Sequence, residues 1–338
     1  MGDNLSAQFV TPFVRGIEPQ VQLPVLLGDI VDQRPSVVAQ SRAVAYDSLG
    51  IVSYNNFPHI GCKDTKKFVT LHPNKEKDDM ILLSFDTEEF DVPREHGVDF
   101  SLEEGMKVSV EGTNRILDVL KENQVKATFF CTGNFAEHAP AVMQRIMDEG
   151  HEVACHGVDH WQPKDTDFEL SKQIVERVTA CQVYGYRQPR MFPVLESEIK
   201  RVGYLYNSSL NPAFIPGRYM HLTAPRTWFM KDGVMQIPAS VTPWVRFPLF
   251  WLSLHNLPEV LYHWLVRRTL RNDGYFVTYF HPWEFFDLKA HPEFKMPFII
   301  KNHSGRQMME RLDRLIRMLK AHNHQFLTFT EFVKQQNP

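Results

Sequence analysis

The sequence predicts an α/β protein built on one barrel of about seven to eight parallel strands. Three observations predict it. From about residue 79, short apolar runs alternate with stretches of helical periodicity, the pattern of a parallel sheet covered by helices. About eight strands can be counted this way, enough to close or nearly close a barrel. Finally, Asp86, His156, Arg187 and His281 each lie at the end of a predicted strand. In barrels of this type the active residues occupy the C-terminal strand ends.

The elements follow in order. MILLSFD (80–86) is a short apolar run ending in charge, as a buried strand does. Val110, Ile116, Leu117 and Leu120 have helical spacing and predict a helix over 108–122. VKATFFC (125–131) is a second strand, and a helix over 139–149 stops at Gly150. HEVACH (151–156) is a third strand, followed by a helix over 166–181 with Leu170, Ile174 and Val178 in register. Further strands are expected near 184–187, 204–207, 234–238, 275–280 and 325–329, with helices over 194–202, 257–270 and 305–321.

The chain has 338 residues, 43% of them hydrophobic, which supplies a sizeable core. Its formal net charge of -3 and its lack of nucleic-acid motifs give no reason to expect a nucleic-acid partner. Cys62, Cys131, Cys155 and Cys181 are widely spaced and are expected to be free thiols, three of them in buried elements. On a strand, Cys155 points away from the face that His156 uses, so it reads as core. The first residues lack a basic start followed by a long apolar run, and no stretch is long enough to span a bilayer. The expected location is cytoplasmic, with peripheral membrane contact open. Prolines at 12, 19, 24, 35 and 58 make residues 1–76 a loop-rich extension packed on a barrel domain over 77–338.

Four clusters carry the chemistry. GHEVACHGVDH (150–160) contains His156 and His160, four apart; on a helical turn both rings would face the same way. An isolated His-x-x-x-His is a weak signal. SFDTEEFD (84–91) adds Asp86 and Glu88, which alternate onto one side, so one carboxylate can complete a His-His-carboxylate metal site while the other stays free as a base. Arg187 in YGYRQP is permanently charged and could hold Asp86 through a fork of hydrogen bonds. His281 in YFHPWEF could serve as a general acid. This inventory suits a divalent ion that activates water.

In that order, SFDTEEFD, TFFCTGNFAE, GHEVACHGVDH, GYRQP and FHPWEF resemble the polysaccharide deacetylases over about residues 79–335. The resemblance implies a distorted (β/α) barrel and removal of an N-acetyl group from an acetamido sugar in a polysaccharide or lipid-linked glycan. It implies one divalent ion, zinc before cobalt, nickel or iron, on His156, His160 and Glu88. It makes Asp86 the catalytic base, Arg187 the residue that orients it, and His281 the catalytic acid. The commonest family pattern has two adjacent aspartates, whereas here Thr87 stands between Asp86 and Glu88. If Glu88 does not reach the ion, Asp86 becomes the ligand. A hydrolase of another cyclic or linear C–N bond, and a non-catalytic carbohydrate-binding relative, are the competing readings.

The aromatic stretch 244–266 and the arginines that follow it form the remaining feature. Asn256 is expected to cap a helix with Pro258 in its first turn. Leu257, Val260, Leu261, Trp264 and Leu265 then form one apolar stripe. That stripe is either the core face of a barrel helix or, with Arg267, Arg268 and Arg271, a rim over 244–271 that meets a lipid surface. Oligomeric state is not legible.

Overall fold

The computed structural model describes residues 79–164, 166–215, 219–220 and 222–336, together with Val44–Tyr46 and Val52–Tyr54, which pair antiparallel. Apart from that pair, the expectations for residues 1–76, including Cys62, lie outside the described residues.

The strands of the main sheet are β1 (Met80–Thr87), β2 (Thr128–Cys131), β3 (Glu152–Cys155), β4 (Gly185–Tyr186), β5 (Tyr206–Asn207), β6 (Phe229–Lys231), β7 (Val234–Gln236), β8 (Tyr275–Phe280) and β9 (Gln325–Phe326). They form one nine-stranded sheet in the order β6-β7-β5-β4-β3-β2-β1-β8, with β9 beside the first half of β1. The β6–β7 hairpin is antiparallel and the other pairings are parallel. The segment after β7 links the two sides of the curled sheet. Ile237 donates its N–H to the Asn207 carbonyl, and three residues later Ser240 donates to the Val277 carbonyl of β8. The expected barrel of parallel strands is the observed architecture, with β6 as an unforeseen antiparallel edge.

The helices of six or more residues are α1 (Leu102–Asn123), α2 (Gly133–His138), α3 (Pro140–Asp148), α4 (Asp167–Thr179), α5 (Glu196–Val202), α6 (Trp251–Asn256), α7 (Glu259–Asp273), α8 (Arg306–Lys320) and α9 (Phe329–Gln336). α1 starts six residues before the expected 108. Ser101 and Glu104 form a reciprocal capping box there, Ser101 Oγ accepting from the Glu104 N–H and Glu104 accepting from the Ser101 N–H. Among the described residues, no helix is long and apolar enough to cross a membrane.

Parity along the strands sorts the core. Ile81, Leu83 and Phe85 of β1 join Phe129, Cys131, Cys155 and Tyr186 in a cluster beneath the helices. Met80 and Leu82 face the other way, with Phe130, Ala154, Tyr206, Met235 and Val277, and α9 adds Phe329, Phe332 and Val333 to this inner cluster. Burial of these side chains from water is the main stabilising contribution, roughly 1.5–3 kcal/mol for each large one. Cys131 and Cys155 are buried free thiols, as expected, but Cys181 is exposed at the end of α4.

The region after β7 departs most from the sequence reading. Asn256 ends the unforeseen α6, and Pro258 occupies the cap of α7. The face of α7 that is buried carries Tyr262, Val266, Thr269 and Leu270, whereas Val260 (82% exposed), Leu261 and Trp264 face solvent. Both sets have helical spacing; packing against β8 and α8 chose between them.

Candidate active site and metal centre

Strand register brings the chemistry together. Thr87, Cys131, Cys155, Tyr186, Asn207 and Gln236 form one row across six parallel strands. The next row therefore holds Glu88, Thr132, His156, Arg187 and Ser208. The ladder continues through it, because Thr132, His156, Arg187 and Ser208 donate their N–H groups to the carbonyls of Thr87, Cys131, Cys155 and Tyr186. On the other side of β1, Phe280 pairs with Phe85, which puts His281 level with Asp86. Four residues far apart in the chain thus share one barrel rim.

The metal side of the site is built from Glu88, His156 and His160. Their donor atoms all lie within 4.8 Å of one another, and all three residues are buried. HGVDH is not helical. It is an irregular loop in which Gly157 takes φ +70°, and the Gly157 and Val158 carbonyls accept N–H groups from Gly133 and Asn134 at the start of α2. The expected helical turn is therefore corrected: a positive-φ glycine and a docked helix terminus aim the two rings.

Each ring is oriented from behind. His156 Nδ1 lies 2.8 Å from the Arg187 carbonyl oxygen, and His160 Nδ1 lies 2.7 Å from Asp91 Oδ2. A carbonyl only accepts, so His156 Nδ1 carries its proton; the Asp91 carboxylate sets the same tautomer in His160. Both Nε2 atoms then point at Glu88 Oε2, at 3.4 and 3.1 Å. That oxygen is buried and, among the described residues, has no hydrogen-bond partner. The other oxygen, Oε1, accepts from Trp283 Nε1 at 3.3 Å.

Two imidazole lone pairs and a carboxylate oxygen at these separations repel unless a cation or proton sits between them. In the ion-free protein, burial opposes charge on Glu88, yet His160, His281 and His156 bring its carboxyl down to about 2. Burial likewise opposes charge on His160, yet Asp91 and Glu88 hold it up at about 9. The orphaned oxygen and the donor set both fit a divalent ion.

Glu89 braces the loop. It accepts from Thr132 Oγ1 at 2.6 Å, from the His160 N–H at 2.9 Å and from Asn134 Nδ2 at 3.0 Å, while burial raises its pKa. Arg190 pairs with Glu95 and reaches Asp91 at 3.5 Å, tying the YRQP turn to the acidic segment. The run 84–91 is therefore buried throughout rather than a solvated loop.

On the other side, Arg187 pairs with Asp86. Its guanidinium also donates to Ser84 Oγ at 3.1 Å, to Ser208 Oγ at 3.0 Å and to the Ser208 carbonyl at 3.2 Å. It lies 3.9 Å from the centroid of the Phe130 ring. Arg187 is fully buried, with every contact fixing the direction in which Asp86 points.

His281 follows β8 and stacks on Trp283 at 4.9 Å. Glu284 grips it twice, Oε1 accepting from the backbone N–H at 2.6 Å and from Nδ1 at 2.9 Å. Nε2 is the ring nitrogen left for other work. Burial opposes protonation of this ring, but Glu88, Glu284 and Asp86 together raise its pKa. Gly112 makes the placement possible, since a Cβ there would sit 1.9 Å from the Pro282 carbonyl oxygen.

Residues 74–198 match the family model described as polysaccharide deacetylase. Over that stretch the chain is similar to the polysaccharide deacetylases. The chain is 33% identical to the peptidoglycan-N-acetylmuramic acid deacetylase PdaA of Bacillus subtilis over 105 residues, 27% of this chain and 39% of that protein. It is 31% identical to the chitooligosaccharide deacetylase of Rhizobium leguminosarum bv. trifolii over 134 residues, 38% of this chain and 58% of that one. The chain thus spans less than two thirds of the curated relatives it matches. In fold it resembles a crystal structure titled putative polysaccharide deacetylase from Mycobacterium smegmatis, with TM-score 0.55 and 18% identity over 80% of this chain and 94% of that one. It also resembles Puue allantoinase, with TM-score 0.51 and 14% identity over 78% and 92%. Deacetylases and an allantoinase thus share this barrel, so the fold alone does not choose a substrate.

The sequence reading named Asp86, Glu88, His156, His160, Arg187 and His281, but not the side chains that orient the histidines. Asp91 and Glu89 lay in the acidic run without a role. Glu284 had a usable signal: His281-x-x-Glu284 has the spacing of a capping box. Trp283 had none.

Proposed function

We propose that this protein is a metal-dependent hydrolase that removes the N-acetyl group of an acetamido sugar in a glycan, releasing acetate and a free amine. The observation that carries the reading is the buried, partnerless Glu88 Oε2 facing two imidazole nitrogens whose other edges are committed. The named activities of the relatives support the substrate class. Two imidazoles and a carboxylate favour zinc, with cobalt, nickel and iron as competitors.

When bound by Glu88, His156 and His160, the ion supplies Lewis-acid polarisation of an amide carbonyl and acidifies water. Asp86, held by Arg187, takes the proton from the attacking water. His281 hands a proton from Nε2 to the departing nitrogen as the C–N bond breaks, while Glu284 keeps Nδ1 engaged. The raised pKa of His281 favours the protonated form that this step needs. Arg187 provides a fixed charge that keeps Asp86 aligned throughout.

The test is acetate release from N-acetylated chitooligosaccharides and peptidoglycan fragments by metal-loaded protein, set against cyclic amides. Acetate release supports the reading. Turnover of the cyclic amide alone would move the protein to the other C–N hydrolase reading.

We also propose that the surface over 244–271 makes peripheral contact with anionic lipid. Trp244 (82% exposed), Val245 (68%) and Val260 (82%) support this, as does the Arg268 guanidinium 5.9 Å from the Trp264 ring. Co-sedimentation with anionic vesicles, reduced by Val260→Ser with Trp264→Ser, is expected. Equal recovery with and without vesicles would sink the proposal.

A further inference from the structure

Glu284 has a second partner that neither the motifs nor the site chemistry explains. Its Oε1 accepts both N–H groups of His281, while its Oε2 lies 2.9 Å from Nε2 of His255 on α6. Both His255 and Glu284 are fully buried. His255 Nδ1 is hydrogen-bonded to the Asn302 carbonyl.

Counting protons constrains this arrangement. The Asn302 carbonyl can only accept, so His255 Nδ1 carries a hydrogen. The contact between Nε2 and Oε2 then needs one more proton, either on the imidazole or on the carboxyl. In the first case an imidazolium faces a carboxylate; in the second a neutral ring faces a carboxylic acid. Either way the His255–Glu284 couple has no net charge, and Oε1 remains an acceptor for His281. A lone carboxylate buried here would leave Oε2 unsatisfied and would be drawn towards other donors.

The surroundings hold His255 in place. His303 Nδ1 donates to the His255 carbonyl at 2.6 Å, and Asn302 Nδ2 donates to the same oxygen at 3.3 Å. Trp251, one turn earlier on α6, is edge-on to both rings, 5.8 Å from His255 and 5.4 Å from His281. α6 thereby reaches the rim on the side of His281.

We infer that His255 is a positioning residue for His281: the proton it shares with Glu284 keeps that carboxyl clasped on the Nδ1 edge, so that Nε2 faces the reacting atoms. This rests on the reading of His281 as the acid, and the experiment separates the two. His255→Leu removes the donor, whereas the side-chain amide of His255→Gln can replace it. Metal-loaded wild type and both variants are assayed for acetate release, with metal content and thermal stability measured alongside. His255→Leu is expected to lower kcat by about 10–100-fold, the usual scale for a residue behind the reacting groups, with KM and metal content little changed. His255→Gln recovers most of the rate. An unchanged kcat in a folded His255→Leu variant, or equal losses in both variants, overturns the inference.

A second measurement needs neither turnover nor a folded variant. In selectively 15N-histidine-labelled wild type, His255 is expected to carry hydrogen on Nδ1 and a second, exchange-protected proton shared between Nε2 and Glu284. His281 is expected to carry hydrogen on Nδ1. A His255 ring with a bare Nδ1 overturns the inference. If the expected spectra appear while no acetate is released, the deacetylase reading fails and the clamp stands.

Discussion

β3 carries one buried histidine before its first residue and two beyond its last, and the two ends treat charge in opposite ways. At the start, His151 Nδ1 accepts the Ala127 N–H at 3.2 Å. Burial and the nearby Lys126 push its pKa down to about 4, so it stays neutral. Beyond the far end, His160 is buried as well, but Asp91 and Glu88 push its pKa up to about 9. Burial disfavours the cation in both places; the carboxylates at the rim reverse the outcome. The comparison teaches that burial keeps an imidazole neutral at the base, while the carboxylates at the rim favour a positive charge there. Changes at the rim should therefore cost metal and rate, and changes at the base should cost stability.

The largest expected effect is at the rim. Glu88→Ala and His156→Ala should each fall from about one metal per chain to none, with loss of activity, while thermal stability of the ion-free proteins stays near wild type. Elemental analysis and thermal melts check this. Full metal in Glu88→Ala would transfer the third ligand to Asp86.

Asp86→Asn should keep its metal and lose about 10²–10⁴-fold in rate, the scale of a general base. Near-native turnover would remove Asp86 from that role. Arg187→Met tests the one rim residue that both ends share, because it supports Asp86 and also packs on Phe130 of the inner core. Leaving Asp86 buried without its partner should cost about 3–5 kcal/mol of stability, read by denaturant unfolding. A change within error would mean that Asp86 finds another donor.

At the base the effect is on pH stability. His151 has a pKa of about 4 when folded and about 6.5 when unfolded. The unfolded chain therefore takes up the proton first as pH falls. The contribution is complete above about pH 6.5 and is lost on descent through about pH 4, on the order of 3 kcal/mol. His151→Asn keeps an acceptor for Ala127 without a proton to gain. Its melting temperature should fall less between pH 7 and pH 4 than that of wild type, with turnover at pH 7 unchanged. Parallel curves would show that His151 does not contribute to acid sensitivity.

The smallest expected effect lies between the two ends. Gly112→Ala pushes a methyl group against the Pro282 carbonyl, and overpacking of this kind costs about 1–3 kcal/mol. Since Pro282 follows His281, the rate should fall as well, with metal content intact. A variant as stable and active as wild type would show that the Pro282 turn can retreat from α1.

Much of this arrangement was legible in the chain. The strand–helix alternation announced the barrel, and the positions of Asp86, His156, Arg187 and His281 after apolar runs announced its rim. Both depend on local patterns, because a buried strand must be apolar until it surfaces. Other parts were not legible for equally physical reasons. α7 carries two apolar stripes of helical spacing, and only its packing against β8 and α8 decides that Tyr262 and Val266 are inside while Val260 and Trp264 are outside. HGVDH has the spacing of a helical turn, but the positive φ of Gly157 and the terminus of α2 hold it as a loop.

The sequence by itself determined which chemical groups are present, the order of the strands that deliver them and the faces those strands bury. Apolar periodicity and chain order are local properties, so they can be read locally. Only the tertiary structure decided which nitrogen of each histidine is free. That choice depends on acceptors distant in the chain for two of the rings, the Arg187 carbonyl for His156 and Asp91 for His160, and for His281 on nearby Glu284, which the remote His255 holds from behind. A ring tautomer is set by what touches its other edge, and contacts across the barrel rim exist only once the sheet has curled.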